Sequence, residues 1–246
     1  MTNHYLDEAA PYARLHGLLL GVNDLRAFLS ELSRLAVEVV GGSTSCGITV
    51  RYDGHPLTVG SSDERAEVLD ESQYRAGGGP CLHALEAGQV VDCPDVSTDT
   101  RWPEYTKIAR EEGVRSSLTT PIVLGTTTLG ALNVYDFERP DAFPPEARRQ
   151  LELFAAQAAG TLRVATRQIK DGQLLAQMED ALRSRTEIDQ AMGIIMGQQR
   201  CTAETAFGLL RRESRNSRRP LREIASELVS SVTGEQPQPG RAFQAG

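Results

Sequence analysis

Four cysteines, four histidines and one tryptophan are all that this 246-residue chain has of the residues that most often carry metal, redox or stacking chemistry. Cys46, Cys81, Cys93 and Cys201 form no C-x-x-C pair, so neither a zinc cluster nor a disulfide framework is expected, and the thiols read as reduced. The histidines His4, His16, His55 and His83 are scattered and add no metal-ligand spacing. Long apolar runs are missing too. The N-terminal stretch holds only Leu18–Leu20 with charges close by, and nothing approaches the roughly 18 residues of a membrane helix. A cytoplasmic protein with no membrane partner is the expectation. The glycines Gly77–Gly79 are not followed by GK[ST], so they form no Walker phosphate loop and read instead as shaping a loop. No catalytic constellation, metal or cofactor is expected.

What is present is charge, unevenly placed. The whole net charge of −7 belongs to residues 1–170, and residues 171–246 are neutral. Within that neutral part, Arg211–Arg222 holds six arginines against one acid, Glu213. A concentrated basic patch on a neutral module points to a local anionic partner rather than a general affinity for polyanions.

The pattern along the chain gives an amphipathic helix over 12–40, with a break near Gly21 or Asn23-Asp24. Two strands follow, "SCGITVRYDG" and "HPLTVGSS", turning at Asp53-Gly54. Next come a short helix Glu64–Glu71, a strand in "QVVDCPD", and a helix in "WPEYTKIAREEGV" ended by Gly113. Strands "SSLTTPIVLG" and "TTLGALNVYDF" pair across Gly125, and a long helix opens at Pro144-Pro145. Hairpin-joined strands with helices packed on them argue for an α+β domain over 12–169. Lys170–Gln173 reads as a linker break, 174–233 as an all-α three-helix module, and 234–246 as a disordered tail.

Two seams of 4-3 spacing flank that break. One is Leu151, Ala155, Ala158, Leu162, Ala165 and Ile169; the other is Leu174, Met178, Ala181, Arg185, Ile188, Met192 and Ile195. Heptad-like spacing predicts a coiled coil or bundle and hence a homodimer. A helix lying on its own domain gives the same spacing.

In the module, Thr202 is placed to cap the second helix and Pro220 to start the third. Ala203, Ala206, Phe207 and Leu210 form the expected inner face of the second helix, and Gly208, Arg211, Arg212 and Arg215 the outer one. Leu221, Ile224, Ala225, Leu228 and Val232 are the inner positions of the third. Arg218, Arg219 and Arg222 extend the ridge across the turn. Guanidinium forks suit phosphates and guanine edges because each bonds two acceptors at once. A helix-turn-helix groove reader fits badly, since Glu223 and Glu227 on the third helix would face phosphates and "SRNSRR" is a long turn. A single-strand stacking platform fits badly too, since Phe207 and Phe243 are the only aromatics after residue 173. A shaped RNA, approached closely at Ala191 and Gly193, is the remaining reading.

The stretch "SRTEIDQAMGIIMGQQRCTAETAFGLLRRESRN…LREIA" resembles the ANTAR domain, a three-helix RNA-binding output of bacterial antitermination regulators. The matching residues are Ser184-Arg185, Ile188, Gln190-Ala191, Gly193, Met196, Cys201, Ala206-Phe207, Leu210-Arg211, Ser214, Asn216, Leu221 and Ala225. Met192 stands where the family often has a basic residue, and the usual Asn-rich turn is arginine-rich here. The resemblance implies binding of paired hairpins in nascent RNA. With the ridge, it makes Arg185, Gln190, Ala191, Gly193, Arg211, Arg212, Ser214, Arg215, Asn216, Arg218 and Arg222 the candidate contacts. "GGGPCLHALEAGQVVDCPD", "RWPEY", "GVRSSLTTPI" and "LGALNVYDFERPDAF" resemble a GAF sensor domain, whose antiparallel sheet is flanked by helices. That resemblance implies a pocket for an unidentified small-molecule or redox signal, with Tyr52, Cys81, His83, Asp92, Cys93, Trp102 and Tyr105 as candidate lining. Two other readings use the same residues. One is a redox enzyme like free methionine sulfoxide reductase, built on Cys46, Cys81 and Cys93. The other is an adaptor whose module docks a protein.

Overall fold

The structure is a computed structural model that describes residues 11–15, 17–18, 24–52, 55–168 and 171–234. The chain divides into two compact units, Met1–Gln177 and Met178–Gly246. Among the described residues no helix is long and apolar enough to cross a membrane.

The first unit is built on five antiparallel strands in the order β2-β1-β5-β4-β3. They are β1 (Thr44–Tyr52), β2 (His55–Ser61), β3 (Val91–Cys93), β4 (Ser116–Leu124) and β5 (Thr127–Asp136). Five helices accompany them: α1 (Leu25–Val40), α2 (Glu64–Arg75), α3 (Pro80–Ala87), α4 (Pro103–Glu111) and α5 (Pro145–Gln168). The α+β expectation holds.

The helix expected over 12–40 is helical at 11–15 and again as α1; residues 19–23 lie outside the described part. The second piece begins where the carboxylate of Asp24 accepts from the Ala27 N–H at 2.8 Å, and it ends at Gly41 with φ +72°. α1 buries Leu25, Phe28, Leu29, Leu32, Leu35 and Ala36. Gly60 of β2 sets how close the helix lies: a Cβ there would be 2.4 Å from the backbone carbon of Leu29.

On α5 the residues Leu151, Ala155, Ala158, Leu162 and Ala165 are buried, and α5 packs on β4 and α1. The first of the two 4-3 seams is thus satisfied by the chain's own domain; Ile169 lies outside the described residues. The other face of the sheet is covered by α2, α3 and α4. α2 runs four residues beyond Glu71. After the glycines read as a loop, where no element was expected, α3 forms, with Gly79 at its N-cap and Pro80 in its first turn. Proline's fixed φ suits that position.

α6 (Asp171–Gln199) begins in the last residues of the first unit, and its remainder, α7 (Ala203–Ser217) and α8 (Leu221–Thr233) make up the second. Of the four residues read as a break, 171–173 are helical and 170 lies outside the described residues. Of the expected tail, Gly234 ends α8 with φ +70° and residues 235–246 lie outside the described part. Thr202 caps α7 by accepting from the Thr205 N–H at 3.2 Å. Met178, Ala181, Ile188, Ala191, Met192 and Ile195 are buried along α6, Ala206, Phe207 and Leu210 on α7, and Leu221, Ile224, Ala225 and Val229 on α8. Three expected inner positions differ. Ala203 is exposed in the first turn of α7, Leu228 is half-buried and Val232 is 53% exposed. The apolar stripe of α8 passes through Val229 instead.

Candidate functional site

The arginine ridge lies at the C-terminal end of α7 and in the turn after it. Arg212, Arg215 and Arg218 are exposed. Arg218 adopts a left-handed conformation, φ 54°, which ends the helix. The turn is held from inside: Ser214 is buried, its hydroxyl donates to the Arg219 carbonyl at 2.6 Å, and the Arg219 N–H returns to the Ser214 carbonyl at 3.2 Å. Ser214, a predicted contact, therefore works within the fold. The Arg219 guanidinium bonds Glu227 at 2.7 Å and reaches Glu223 at 3.5 Å, and the Glu227 bond raises its pKa.

Arg211 corrects the helical-wheel reading. It is only 6% exposed, with its guanidinium 5.5 Å from the centre of the Phe207 ring. The long stem of arginine lets a nominally outward residue fold back over an apolar neighbour. On α6, Gln190 is exposed and Arg185 half-buried. Ala191 is fully buried, whereas Gly193 is exposed with open space where a Cβ would stand. Close approach is thus available at Gly193, not at Ala191. Asn216 is exposed. Arg222 lines a cleft of about 220 Å³ with Ser184 and Glu187 of α6 and Glu223 and Ser226 of α8. Apart from Arg222, these residues were not singled out as contacts from the sequence; of the two acids, Glu223 had counted against a helix-turn-helix groove reader and Glu187 had not been weighed.

In the first unit the sheet face beneath α2, α3 and α4 is polar. Alternation places Gly47, Thr49, Asn133, Tyr135, Ser117 and Thr119 on this side. Asp70 of α2, with no exposed surface, accepts from the Tyr135 hydroxyl at 2.6 Å, the Asn133 amide at 2.9 Å and the Thr58 hydroxyl at 3.3 Å. A Cβ on Gly47 would meet the Asp70 carboxylate at 2.0 Å, so glycine makes room for it. Burial raises the Asp70 pKa to about 7, against the lowering effect of those three bonds. The network continues through Tyr74, whose hydroxyl bonds Thr49 at 2.7 Å and Thr58 at 2.5 Å. It also runs through Gln73, which donates to the Tyr135 oxygen at 3.0 Å and accepts from the Cys81 N–H at 2.7 Å. Around it, the Tyr105 hydroxyl, Ser117 Oγ, Thr119 Oγ1 and Asn133 Oδ1 are buried without a protein hydrogen-bond partner.

Of the predicted pocket residues, Cys81, Cys93 and Tyr105 are in this interior. Burial raises both thiols to about 12, which keeps them protonated. His83 is exposed two residues from Cys81, so the two do not form a nucleophile and base. It meets Trp102 edge-on at 5.9 Å, and the Arg101 guanidinium lies 4.5 Å from the centre of the Trp102 ring. Asp92 is tied to Arg148 at 2.6 Å. Tyr52 ends β1, and its side chain lies outside the described part. Thr49, Thr58, Asp70, Gln73, Tyr74, Asn133 and Tyr135 were missed. The available signal was polar residues inside apolar runs, as Asn133 in "LGALNVYDF".

Residues 22–163 match the model of the GAF domain, and residues 176–229 match that of the ANTAR domain. The chain belongs to the GAF-domain family and carries an ANTAR domain after it. Solved structures agree on the fold. The GAF domain of an Acinetobacter phosphoenolpyruvate-protein phosphotransferase aligns with TM-score 0.50 and 16% identity, over 68% of this chain and 98% of that one. Free methionine-R-sulfoxide reductase from Neisseria meningitidis, in complex with its substrate, aligns with TM-score 0.51 and 14% identity, over 69% and 96%. The A. aeolicus nlh2 GAF domain in an inactive state aligns with TM-score 0.50 and 14% identity, over 65% and 98%. A search of curated proteins gives no match.

Proposed function

We propose that this chain is a cytoplasmic, signal-responsive transcription antitermination regulator. Its ANTAR domain binds paired hairpins in nascent RNA, and its GAF domain controls that binding in response to a small molecule or a redox signal. The observation that carries the reading is the exposed cluster Arg212, Arg215 and Arg218 at the end of α7, on a domain whose family is RNA-binding. Arg185, Gln190, Gly193, Asn216 and Arg222 complete the proposed surface. Arg211, Ser214 and Ala191 support it from inside. The interior hydroxyls and amide oxygen without protein partners support a polar ligand or ordered water under α2–α4, since each such group left bare costs about 1–3 kcal/mol. The four free thiols suit a reducing compartment. Buried, protonated cysteines speak for a sensor rather than a reductase, because the thiolate is the reactive form. Pairing of two copies on paired hairpins belongs to the same reading.

Gel-shift titration of the full chain against a two-hairpin RNA tests it, beside the variant Arg212→Glu with Arg215→Glu. Specific binding by the wild type and its loss in the folded variant is the expected result. Light scattering with and without RNA tests the pairing. Wild-type protein that binds no hairpin RNA, with or without cell extract as a source of signal, overturns the reading.

A further inference from the structure

The polar interior of the GAF domain lacks two things, and one kind of ligand supplies both. The first is hydrogen-bond donors. Thr119 of β4 lies directly opposite Asn133 of β5, and Ser117 lies opposite Tyr135. Side chains at opposite positions of an antiparallel pair stand about 5 Å apart on one face, so Asn133, Thr119 and Ser117 form a single patch. Cys93 of β3 is the other neighbour of Ser117. Tyr105 of α4 packs with Cys93 and Tyr135, which places it beside the same patch. All four residues are at most 1% exposed. Asn133 Oδ1, Thr119 Oγ1, Ser117 Oγ and the Tyr105 hydroxyl have no protein partner. The amide shows what is missing. Asn133 already gives its N–H groups to Asp70 at 2.9 Å and to Thr49 at 3.2 Å, so its bare oxygen can only accept.

The second lack is positive charge. Asp70 accepts from Tyr135, Asn133 and Thr58, which are all neutral, and among the described residues no cation bonds it. Burial holds the thiols of Cys46 and Cys81 and the phenols of Tyr74, Tyr105 and Tyr135 in their neutral forms. Asp70 is thus the member of this cluster that can become an anion. A carboxylate in such surroundings is costly until a cation stands near it. An anionic ligand would be repelled by Asp70, and a neutral one would satisfy the oxygens alone. A protonated amine brings three N–H donors and the charge together.

We propose that the GAF domain binds a small primary ammonium ion, which donates to Asn133 Oδ1, Thr119 Oγ1 and Ser117 Oγ and sets its charge against Asp70. The inference rests on the reading of this domain as a small-molecule sensor and gives the signal a chemical class. It also gives the signal a point of action. Asn133 joins the patch to Asp70, and Asp70 ties α2 to β2 and β5, so the ligand changes the contacts that hold α2 on the sheet.

Thermal unfolding of the full chain tests it. The probes are methylammonium, ethylammonium and propylammonium chloride, beside potassium chloride, tetramethylammonium chloride and acetamide at equal concentrations. A ligand of the folded state raises the melting temperature by mass action. At least one primary ammonium should give a saturable rise. Potassium and tetramethylammonium, which lack N–H donors, and acetamide, which lacks charge, should give none. Asp70→Asn should abolish the rise. Thr119→Val keeps the shape and removes a bare hydroxyl. Without amine it should be no less stable than the wild type, yet it should bind the amine about tenfold more weakly. No rise with any primary ammonium overturns the assignment, as does an equal rise with potassium or tetramethylammonium. A rise that Thr119→Val or folded Asp70→Asn keeps in full overturns it as well. A rise with acetamide alone replaces the ammonium by a neutral ligand and leaves the sensor reading standing. Gel-shift titration of the same protein decides RNA binding independently of all these outcomes.

Discussion

The two domains treat polar groups in opposite ways. The GAF domain draws them inward. Asp70, Asn133, Tyr135, Tyr74 and Gln73 form one connected interior network in which, among the described residues, no cation contacts the carboxylate. The ANTAR domain turns most of its arginines outward, with Arg212, Arg215 and Arg218 in solvent and Arg211 folded back. A buried group responds to what reaches it, by changing protonation or exchanging a hydrogen-bond partner. An exposed cation acts at range and is weakened by salt. Proton concentration is therefore the expected lever on the stability of the first domain, and ionic strength the expected lever on the proposed RNA binding of the second.

The largest effect expected from breaking that contrast is on RNA affinity. Arg212→Glu with Arg215→Glu should reduce hairpin binding by about a hundredfold or more, and should shallow the salt dependence by roughly 0.7 log units per lost phosphate contact. Filter binding at several potassium chloride concentrations measures both. An unchanged slope would move the phosphate contacts elsewhere.

Next in size is Asp70→Asn. In the folded chain Asp70 keeps its proton up to about pH 7, whereas an unfolded aspartate releases it near about 4. The folded state thus binds the extra proton in between. The contribution of Asp70 to stability is most favourable below about pH 4, declines as pH rises, and is fully lost above about 7, a swing of about 4 kcal/mol. Asparagine cannot titrate. Urea unfolding at pH 5 and pH 8 should show the variant gaining on the wild type as pH rises, whatever its constant offset. Parallel curves would mean that Asp70 is ionised throughout.

Gly60→Ala should lower stability by about 1–3 kcal/mol, since the methyl would overlap the α1 backbone. Thermal unfolding measures this, and RNA affinity should stay unchanged in the folded fraction. Ser214→Ala should cost about 1 kcal/mol through the lost bond to the Arg219 carbonyl. Its effect on RNA binding separates a structural serine from a contacting one.

The sequence was most legible where a period or a cap determines the outcome. The hairpin strands, the Thr202 cap and the exposed positions of Arg212 and Arg215 follow from local rules. Partners were less legible. The 4-3 spacing of Leu151, Ala155, Ala158 and Leu162 correctly marks an apolar stripe, but the same stripe serves a sheet as well as another helix. Arg211 shares its helical position with outward residues, and only its flexible stem and the nearby Phe207 ring draw it in. Asp70 and Asn133 are 63 positions apart in sequence and meet only because α2 crosses β5. No periodicity records such a meeting. The glycines Gly77–Gly79 were read as shaping a loop, and the short α3 that follows them was not anticipated.

Arg218 carries a cost that its neighbours do not. An L-residue in the left-handed region is disfavoured by roughly 1–2 kcal/mol, and a helix ending of this kind ordinarily uses glycine. Arg218→Gly should leave the fold as stable as before or firmer by up to about 1 kcal/mol, while removing one charge from the ridge. Heat tolerance and charge density thus compete at a single backbone position. A lineage selected only for the first would drift to glycine there, and an arginine that persists would mark selection for the second.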